Sequence, residues 1–326
     1  MKYTNKDNIP LALAIMFLDD RYDYNHSEKT ISATSLLDTT KQIILSQRLT
    51  GEGELDVSDR IASSLGSAIH TALEQAWLNN PKQIMHSLGY PNDVITYTCV
   101  NPTKTDLINV SGLIPVYVEQ RASKQIAGWT VTGKFDIIID GRLNDLKNRQ
   151  AYAYIFQSNA EKDILQASIY RWLNQDKVTH EDFSILWIFT DWSKKEARQN
   201  KDYPQKRWME QKYRLKPVEV IEEYIVNKLN SIDKLLDKPE SELPECTKDE
   251  LWMDDPIWKY YKDPNKTTRS TKNFTSQSEA NIRLIKDGNV GLVVEYKAYA
   301  KRCGYCPCST ICEQYLDLKS KGLIQE

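Results

Sequence analysis

Two aspartates and a lysine flank a predicted β-hairpin in the middle of the chain. The dipeptide Asp140-Gly141 separates two strand-like segments, and Asp-Gly is a strong signal for a two-residue turn. Such a turn pairs Asp136 with Asp145 and puts Lys147 on the same face as Asp145. Directly opposed like charges destabilise a sheet, and a divalent cation such as Mg²⁺ would relieve the repulsion. The hairpin therefore predicts a metal site, and a solvated Lys–Asp cluster is the alternative.

Apolar periodicity predicts the elements around this hairpin. A stripe of apolar residues that recurs every four positions predicts a helix within residues 56–79, with His70 and Glu74 on a neighbouring stripe. Further helices are predicted at 8–20, 31–45, 160–173 and 218–236, and strands at 110–120, 126–139 and 183–189. The turn also sets the hairpin register, with pairs Ile139–Arg142, Ile138–Leu143, Ile137–Asn144 and Lys134–Lys147. Interspersed helices and strands predict an α/β fold.

Composition bounds the class of protein. The chain has 326 residues, of which 40% are hydrophobic and 27% charged, as expected of one large folded domain or two smaller ones. Its longest apolar stretch, residues 11–18, is shorter than the roughly 20 residues of a membrane-spanning helix. Six cysteines are too few for a secreted disulfide scaffold, so we expect a cytoplasmic protein with no membrane contact. The formal net charge of −2 excludes a uniformly basic nucleic-acid binder.

Two local segments are nevertheless basic and rich in aromatic residues. Ser193–Lys216 contains nine Lys or Arg against three acidic residues, and Lys259–Lys272 contains five against one. Basic residues interleaved with aromatic ones suit a phosphate backbone with stacked bases. Lys206 and Arg207, in the first segment, are the candidate DNA contacts. Solvated surface loops are the alternative for both segments.

A cluster of cysteines near the C-terminus predicts a second metal centre. Cys303, Cys306 and Cys312 form a Cys-x2-Cys-x5-Cys run, with Cys308 inside the second interval. In a reducing compartment this density indicates metal ligation. Four thiolates bind either Zn²⁺ or a [4Fe–4S] cluster, and ligand type alone does not decide between them. The prolines at 239, 244 and 256 mark a change of composition, so we expect a small module at 238–326.

The order of the motifs resembles the RecB-like branch of the PD-(D/E)XK nucleases, which includes CRISPR-associated exonucleases. The matching motifs are Gly133-Lys134-Phe135-Asp136, Asp145-Leu146-Lys147, and Gln166 with Tyr170 one helical turn later. His70 stands where that branch carries a histidine on a helix. The resemblance implies a restriction-endonuclease-like core over residues 1–237, with a mixed central sheet flanked by helices. The small cysteine-rich module at 238–326 would follow it.

The resemblance also implies roles for these residues. His70, Asp136, Asp145 and the backbone carbonyl of Leu146 would ligate Mg²⁺ or Mn²⁺. Lys147 would orient or deprotonate the attacking water, and Gln166 and Tyr170 would hold the scissile DNA strand. The interval from Asp136 to Asp145 is shorter than is usual in the family, but the hairpin register still brings the two carboxylates together.

The cysteine run resembles the C-terminal iron–sulfur clamp of RecB-like nucleases. Those relatives take a fourth cysteine from near the N-terminus, and residues 36–41 of this chain contain none. The segment around Cys246 resembles the C-terminal module of phage-encoded members. Cys246 therefore ranks first as the fourth ligand beside Cys303, Cys306 and Cys312, Cys308 second and Cys99 third. The resemblance implies a [4Fe–4S] cluster, with Zn²⁺ as the alternative.

The expected function is that of a divalent-metal-dependent DNA nuclease, an exonuclease by type. By the resemblance it would act on single-stranded or end-bearing duplex DNA in phage replication, recombination or processing, in the host cytoplasm. Its partners would be phage recombination or replication proteins. The first alternative is a non-catalytic nucleic-acid-binding or assembly protein that has kept the nuclease fold. A zinc-ribbon regulatory module is a third hypothesis, which leaves the acidic hairpin unexplained.

Overall fold

A computed structural model describes residues 2–19, 28–49 and 54–325. The chain forms two compact units, the first comprising Met1–Leu37 and Gly51–Asn230 and the second comprising Asp38–Thr50 and Ser231–Glu326. The predicted division at 237/238 thus differs from the structure in two respects. The division falls at 230/231, within a helix, and residues 38–50 belong to the cysteine-containing unit because their contacts are with distant residues.

Helices and strands are mixed along the chain, as expected for an α/β protein. The strands are β1 (Lys2–Thr4), β2 (Thr30–Ser32), β3 (Glu54–Asp56), β4 (Thr98–Val100), β5 (Ile114–Val118), β6 (Arg121–Ile126), β7 (Trp129–Lys134), β8 (Ile137–Ile139), β9 (Arg142–Arg149), β10 (Asp182–Phe189), β11 (Trp208–Arg214), β12 (Ile257–Tyr261), β13 (Lys272–Phe274) and β14 (Leu292–Tyr296). The α-helices are α1 (Leu11–Leu18), α2 (Thr40–Arg48), α3 (Ile61–Asn79), α4 (Pro81–Ser87), α5 (Asn92–Tyr97), α6 (Lys104–Asn109), α7 (Ala151–Phe156), α8 (Ala160–Leu173), α9 (Lys194–Gln199), α10 (Val218–Leu235), α11 (Gln277–Lys286) and α12 (Glu313–Ser320). Short 3₁₀ helices occupy Ser35–Leu37, Val57–Arg60, Glu240–Glu242, Lys301–Tyr305 and Ser309–Ile311.

A six-stranded mixed sheet forms the centre of the first unit. Its strand order is β11-β10-β9-β8-β5-β4, with β4–β5 and β9–β10 parallel and the other neighbours antiparallel. A separate three-stranded sheet in the order β2-β7-β6 lies in the same unit. Large side chains such as Phe135, Phe183 and Phe189 are fully buried there. The second unit has its own three-stranded sheet, β13-β12-β14.

The hairpin β8–β9 confirms the register that the turn predicts. Ile137 pairs with Asn144, Ile138 with Leu143 and Ile139 with Arg142. Asp140 and Gly141 both have positive φ, at 47° and 78°, as a type I′ turn requires. A Cβ atom at position 141 would also overlap the Thr179 hydroxyl, so glycine is required there for space as well.

Two of the predicted hairpin pairs are wrong. The ladder ends at Ile137–Asn144, one pair short of Asp136–Asp145. Lys134 does not face Lys147, because it pairs with Arg121 in the β6–β7 ladder of the other sheet. The chain passes from one sheet to the other at Phe135 and Asp136, a change that depends on pairing with β6 and not on the turn.

The remaining elements follow the sequence predictions in part. The predicted helices at 160–173 and 218–236 and the strand at 183–189 are confirmed within one residue at each end. The helix predicted at 31–45 begins too early: β2 pairs with β7, and the helix starts at Thr40, where the Thr39 hydroxyl caps it by accepting a hydrogen bond from Gln42 N at 3.1 Å. The strand predicted at 110–120 begins at Ile114, and the one at 126–139 is split between β7 and β8. Helix α1 covers Leu11–Leu18, and the predicted end at residue 20 lies outside the described residues.

Of the helices in the described ranges, none has the length and apolar character that crossing a lipid bilayer would take.

Candidate active site

One cleft of about 620 Å³ in the first unit gathers six of the predicted site residues. They are His70 on α3, Asp136 between β7 and β8, Asp145 and Lys147 on β9, and Gln166 and Tyr170 on α8. The sequence prediction that these distant segments converge is therefore met by the fold. Their roles as ligands and catalytic groups stay predictions.

His70 lies between two carboxylates. Its Nδ1 atom is 3.3 Å from Asp136 Oδ1 and 3.4 Å from Glu119 Oε1. Hydrogen bonding to Asp136 and then to Glu119 raises the pKa of His70 to about 10, against the opposing effect of burial. The donor atoms of the three residues all lie within 4.8 Å of one another, close enough to share one metal ion.

Glu119 is the residue of this cluster that the sequence prediction missed. It follows β5 directly, and its backbone has a φ of 50°, in the left-handed region that non-glycine residues rarely adopt. Its N–H donates to the carbonyl of Asp136 at 2.8 Å, and its Oε2 lies 2.7 Å from Lys134 Nζ. Glu119 Oε1 is buried and lies 3.4 Å from His70 Nδ1, which also approaches Asp136. The signal in the sequence was a glutamate placed directly after a buried apolar strand.

Asp136 reaches across to β9 instead of pairing with Asp145. Its Oδ2 accepts a hydrogen bond from Leu146 N at 2.6 Å, while Oδ1 is directed to His70. Leu146 thus contributes its N–H to the site in this structure. This bond fixes the Asp136 carboxylate beside the middle of β9, where Asp145 and Lys147 project into the cleft.

Asp145 and Lys147 form a buried ion pair. The Lys147 Nζ is 2.8 Å from Asp145 Oδ2, and Asp145 is 6% exposed. Burial raises the pKa of Asp145, with Lys147 opposing the shift and the Asp136 carboxylate reinforcing it. Burial and the nearby Asp136 charge therefore disfavour the ionised form of Asp145. A second cation beside it, in addition to Lys147, would stabilise that form.

Helix α8 is held against this strand by polar contacts. Gln166 Oε1 lies 3.3 Å from Lys147 Nζ, and Gln166 Nε2 donates to Thr34 Oγ1 at 3.0 Å. Arg149 donates two hydrogen bonds, at 3.0 and 3.1 Å, to the carboxylate of Asp163 one turn before Gln166. The row Asp145, Lys147 and Arg149 therefore runs along β9 directly beneath α8.

Gly133 allows α8 to approach β7 closely. A Cβ atom at this position would lie 2.7 Å from Leu173 Cδ1 and 3.0 Å from the ring of Tyr170. The glycine of the predicted motif is thus required by packing against the helix that carries Gln166 and Tyr170.

Lys206 and Arg207 are not among the residues that line the cleft. Lys206 Nζ lies 4.9 Å from the ring centre of Trp208, which is 57% exposed. Trp208 pairs with Ile188, whereas Lys147 pairs with Trp187. Because neighbouring residues of a strand point to opposite faces, Trp208 lies on the face of the sheet away from Lys147.

The second unit brings five cysteines around one cavity. Cys246, Cys303, Cys306, Cys308 and Cys312 all line it. Within the described part of the chain, no three of these sulfur atoms lie within 4.8 Å of one another. Cys99, ranked an unlikely third, is not among the residues that line this cavity and lies in β4 of the first unit.

The environments of Cys246 and Cys308 differ. The Cys246 thiol has one weak partner, Thr39 Oγ1 at 3.5 Å. Cys308 is 1% exposed and packs against α2, with its sulfur 3.3 Å from Ser46 Oγ and 3.6 Å from the carbonyl oxygen of Gln42. A hydrogen bond from the Cys308 thiol lowers the pKa of Cys306, which favours the thiolate that a metal ion binds.

The comparisons with known proteins give little beyond the geometry. No family model matches the chain, and no curated protein matches it. A solved structure described as "Crystal structure of SSO0001" is similar at 15% identity and a TM-score of 0.43, over 73% of this chain and 92% of that one. A TM-score this low carries no argument about function.

Proposed function

We propose that this chain is a divalent-metal-dependent deoxyribonuclease of the RecB-like PD-(D/E)XK type. The observation that supports it most is the cleft of the first unit. Six residues spread over positions 70–170 line it together, and they are the residues that the nuclease motifs require. Acidic, histidine, lysine and glutamine side chains in one cleft suit hydrolysis of a phosphodiester bond.

The donor set fits Mg²⁺ or Mn²⁺. His70, Glu119 and Asp136 offer one nitrogen and several oxygen ligands, and Glu119 Oε1 is a buried acceptor that shares His70 Nδ1 with Asp136. Asp145 and the carbonyl of Leu146 would complete the set. A bound divalent ion would lower the pKa of a coordinated water and stabilise negative charge on the phosphoryl oxygens.

The other residues of the cleft would position the substrate. Lys147 is held between Asp145 and Gln166, which fixes its ammonium group where it would orient the attacking water and offset developing negative charge. Gln166 and Tyr170 are four residues apart on α8 and so share one face of that helix, where they would hold the scissile strand. The mechanism needs no covalent intermediate on the protein.

For the second unit we propose a [4Fe–4S] cluster held by Cys246, Cys303, Cys306 and Cys312. A tetrahedral Zn²⁺ with Zn–S bonds of about 2.3 Å needs sulfur atoms about 3.8 Å apart. No three of the described cysteine sulfurs lie within 4.8 Å of one another, so the set is not arranged for that tetrahedral site, and the resemblance to the iron–sulfur clamp of RecB-like nucleases favours the cluster. Cys308 would act through its hydrogen bond to Cys306 and not as a ligand.

Lys206 and Arg207 stay proposed DNA contacts, at a distance from the cleft. The substrate would be single-stranded or end-bearing duplex DNA, in phage replication, recombination or processing within the host cytoplasm, with recombination or replication proteins as partners.

The test is cleavage of end-labelled single- and double-stranded DNA with Mg²⁺, Mn²⁺ or EDTA. We expect metal-dependent cleavage by the unmodified protein and its loss in Asp145→Asn. Asp93→Asn, an exposed aspartate outside both the cleft and the basic segments, is the matched control and should cleave normally. DNA binding by a folded protein that cleaves nothing with either metal would contradict the proposal and favour a non-catalytic DNA-binding protein.

A further inference from the structure

Helix α7 presents two exposed aromatic side chains beside the catalytic strand. It begins two residues after Arg149, the last residue of β9. Tyr152 and Phe156 are 61% and 63% exposed, and their ring centres are 4.4 Å apart. A phenylalanine this exposed has no polar atom to solvate, so the pair is an apolar surface without a described partner.

The opposite side of α7 is firmly anchored. The ring of Tyr154 meets Trp187 and Phe189 edge-on at 5.8 and 5.5 Å, and Ala151 N donates to Asp191 Oδ1 at 2.8 Å. These contacts fix the helix, so Tyr152 and Phe156 are held outward by a rigid support and not by a loose loop.

The anchor places α7 over the catalytic face of the sheet. Trp187 pairs with Lys147 and Phe189 with Arg149, and paired residues of neighbouring strands lie on the same face. Tyr154 therefore packs over the face that carries the row of β9 side chains. Tyr152 is the fifth residue after Lys147, which limits the distance between their Cα atoms to about 17 Å.

Basic residues follow Asp191, the residue that holds the start of α7, closely along the chain. Asp191, which accepts from α7, is followed by Lys194, Lys195 and Arg198 on α9, all of them exposed. The Tyr203 hydroxyl closes this loop by donating to the carbonyl of Asp191 at 3.2 Å. An apolar aromatic pair flanked by cations matches a polymer with flat apolar bases and a negatively charged backbone.

We propose that Tyr152 and Phe156 form a stacking platform for unpaired nucleobases of the DNA strand that enters the cleft. The proposal rests on the proposed nuclease function, since it names the part of the substrate that this surface receives. At a rise of about 3.4 Å per base, the stacked bases would lie within about five nucleotides of the scissile phosphate.

The test measures the binding of fluorescein-labelled single-stranded DNA by anisotropy in EDTA, where no cleavage occurs. Base–aromatic stacking is worth about 1–3 kcal/mol per base, so Tyr152→Ala/Phe156→Ala should weaken binding by roughly tenfold or more. Tyr90→Ala, another exposed tyrosine of the first unit, is the control and should bind normally. Circular dichroism and thermal unfolding would show that the exposed substitutions leave the fold intact.

Two further measurements distinguish stacked nucleobases from other molecules that could occupy this surface. A Tyr152→Leu/Phe156→Leu protein keeps apolar area without aromatic faces, and it should also bind weakly. An abasic site moved along the oligonucleotide should weaken binding by the unmodified protein at one position, and the alanine variant should be insensitive there. Full affinity in the leucine variant, or equal abasic effects in both proteins, would overturn the proposal. A concentration-dependent dimer lost in the alanine variant would overturn it too, because the surface would then bind a second copy of the chain.

The failure of this inference is distinguishable from failure of the nuclease proposal. Metal-dependent cleavage together with unchanged DNA affinity in the alanine variant would overturn only the stacking platform. Weakened binding in a protein that cleaves nothing would retain the platform and overturn the nuclease. An unmodified protein that neither binds nor cleaves DNA would overturn both.

Discussion

Arg149 and Asp163 hold α8 on β9, and their unequal burial predicts unequal effects of removing either partner. The side chain of Asp163 is 4% exposed, whereas that of Arg149 is 31% exposed. Without Arg149, a carboxylate is left unpaired away from water. Without the Asp163 charge, the guanidinium is left where water still reaches it.

The magnitude follows from this difference. Arg149→Met keeps an alkyl stem near Trp187 and removes the charge, which leaves an uncompensated buried carboxylate at a cost of about 3–5 kcal/mol. Asp163→Asn keeps one hydrogen-bond acceptor and leaves a part-solvated arginine, so we expect a loss of about 1–2 kcal/mol. Arg149→Met combined with Asp163→Leu removes both charges and should be more stable than Arg149→Met alone.

The assay is urea unfolding followed by tryptophan fluorescence, with the transition of the first unit fitted separately because two units need not unfold together. From most to least stable, the variants should rank Asp163→Asn, the double variant and Arg149→Met. An Asp163→Asn protein as unstable as Arg149→Met would refute the reasoning, because it would show that burial does not decide which charge is costly. A double variant less stable than Arg149→Met would refute it as well.

Three other perturbations have definite expected outcomes. Glu119→Gln should weaken Mn²⁺ binding, measured by calorimetry, by about tenfold or more without unfolding the protein, and unchanged affinity would remove Glu119 from the ligand set. Cys246→Ser should lose the iron and sulfide measured in anaerobically purified protein while Cys308→Ser retains both, and the reverse result would exchange their roles. Hydrogen bonds, first that from Lys6 N, hold the pKa of Asp56 below its ordinary 3.8, so the stability it contributes is present above that pH and is lost as the pH falls below it. Asp56→Asn should therefore flatten the acid limb of a stability-against-pH curve, and an unchanged limb would contradict this account.

Local chemistry was sufficient to predict several parts of the fold. The Asp140-Gly141 turn determined three hairpin pairs because positive φ at both positions permits only that type of connection. Periodic apolar residues predicted α8 within one residue at each end, and with it the shared face of Gln166 and Tyr170.

Parts that depend on distant pairing could not be predicted in this way. Asp136 leaves the hairpin because the preceding strand pairs with β6, so its bond to Leu146 required knowledge of the second sheet. Glu119 reaches His70 because its own backbone, directly after β5, is left-handed. The apolar periodicity of the sequence does not predict such a conformation at a single residue. Helix α2 belongs to the cysteine unit through contacts with residues about two hundred positions away, as between Thr39 and Cys246.

The second unit is discontinuous along the chain, and this has a consequence for biosynthesis. Its first segment ends at Thr50 and its next begins at Ser231, so the ribosome makes most of the first unit in between. At about 5–20 residues per second, α2 is synthesised roughly 13–50 seconds before the thiols at 303–312. The apolar face of α2, with Ile44 and Leu45 buried in the finished unit, has no native partner during that interval. Completion of the second unit, and any insertion of a cluster into it, therefore has to follow synthesis of the first unit.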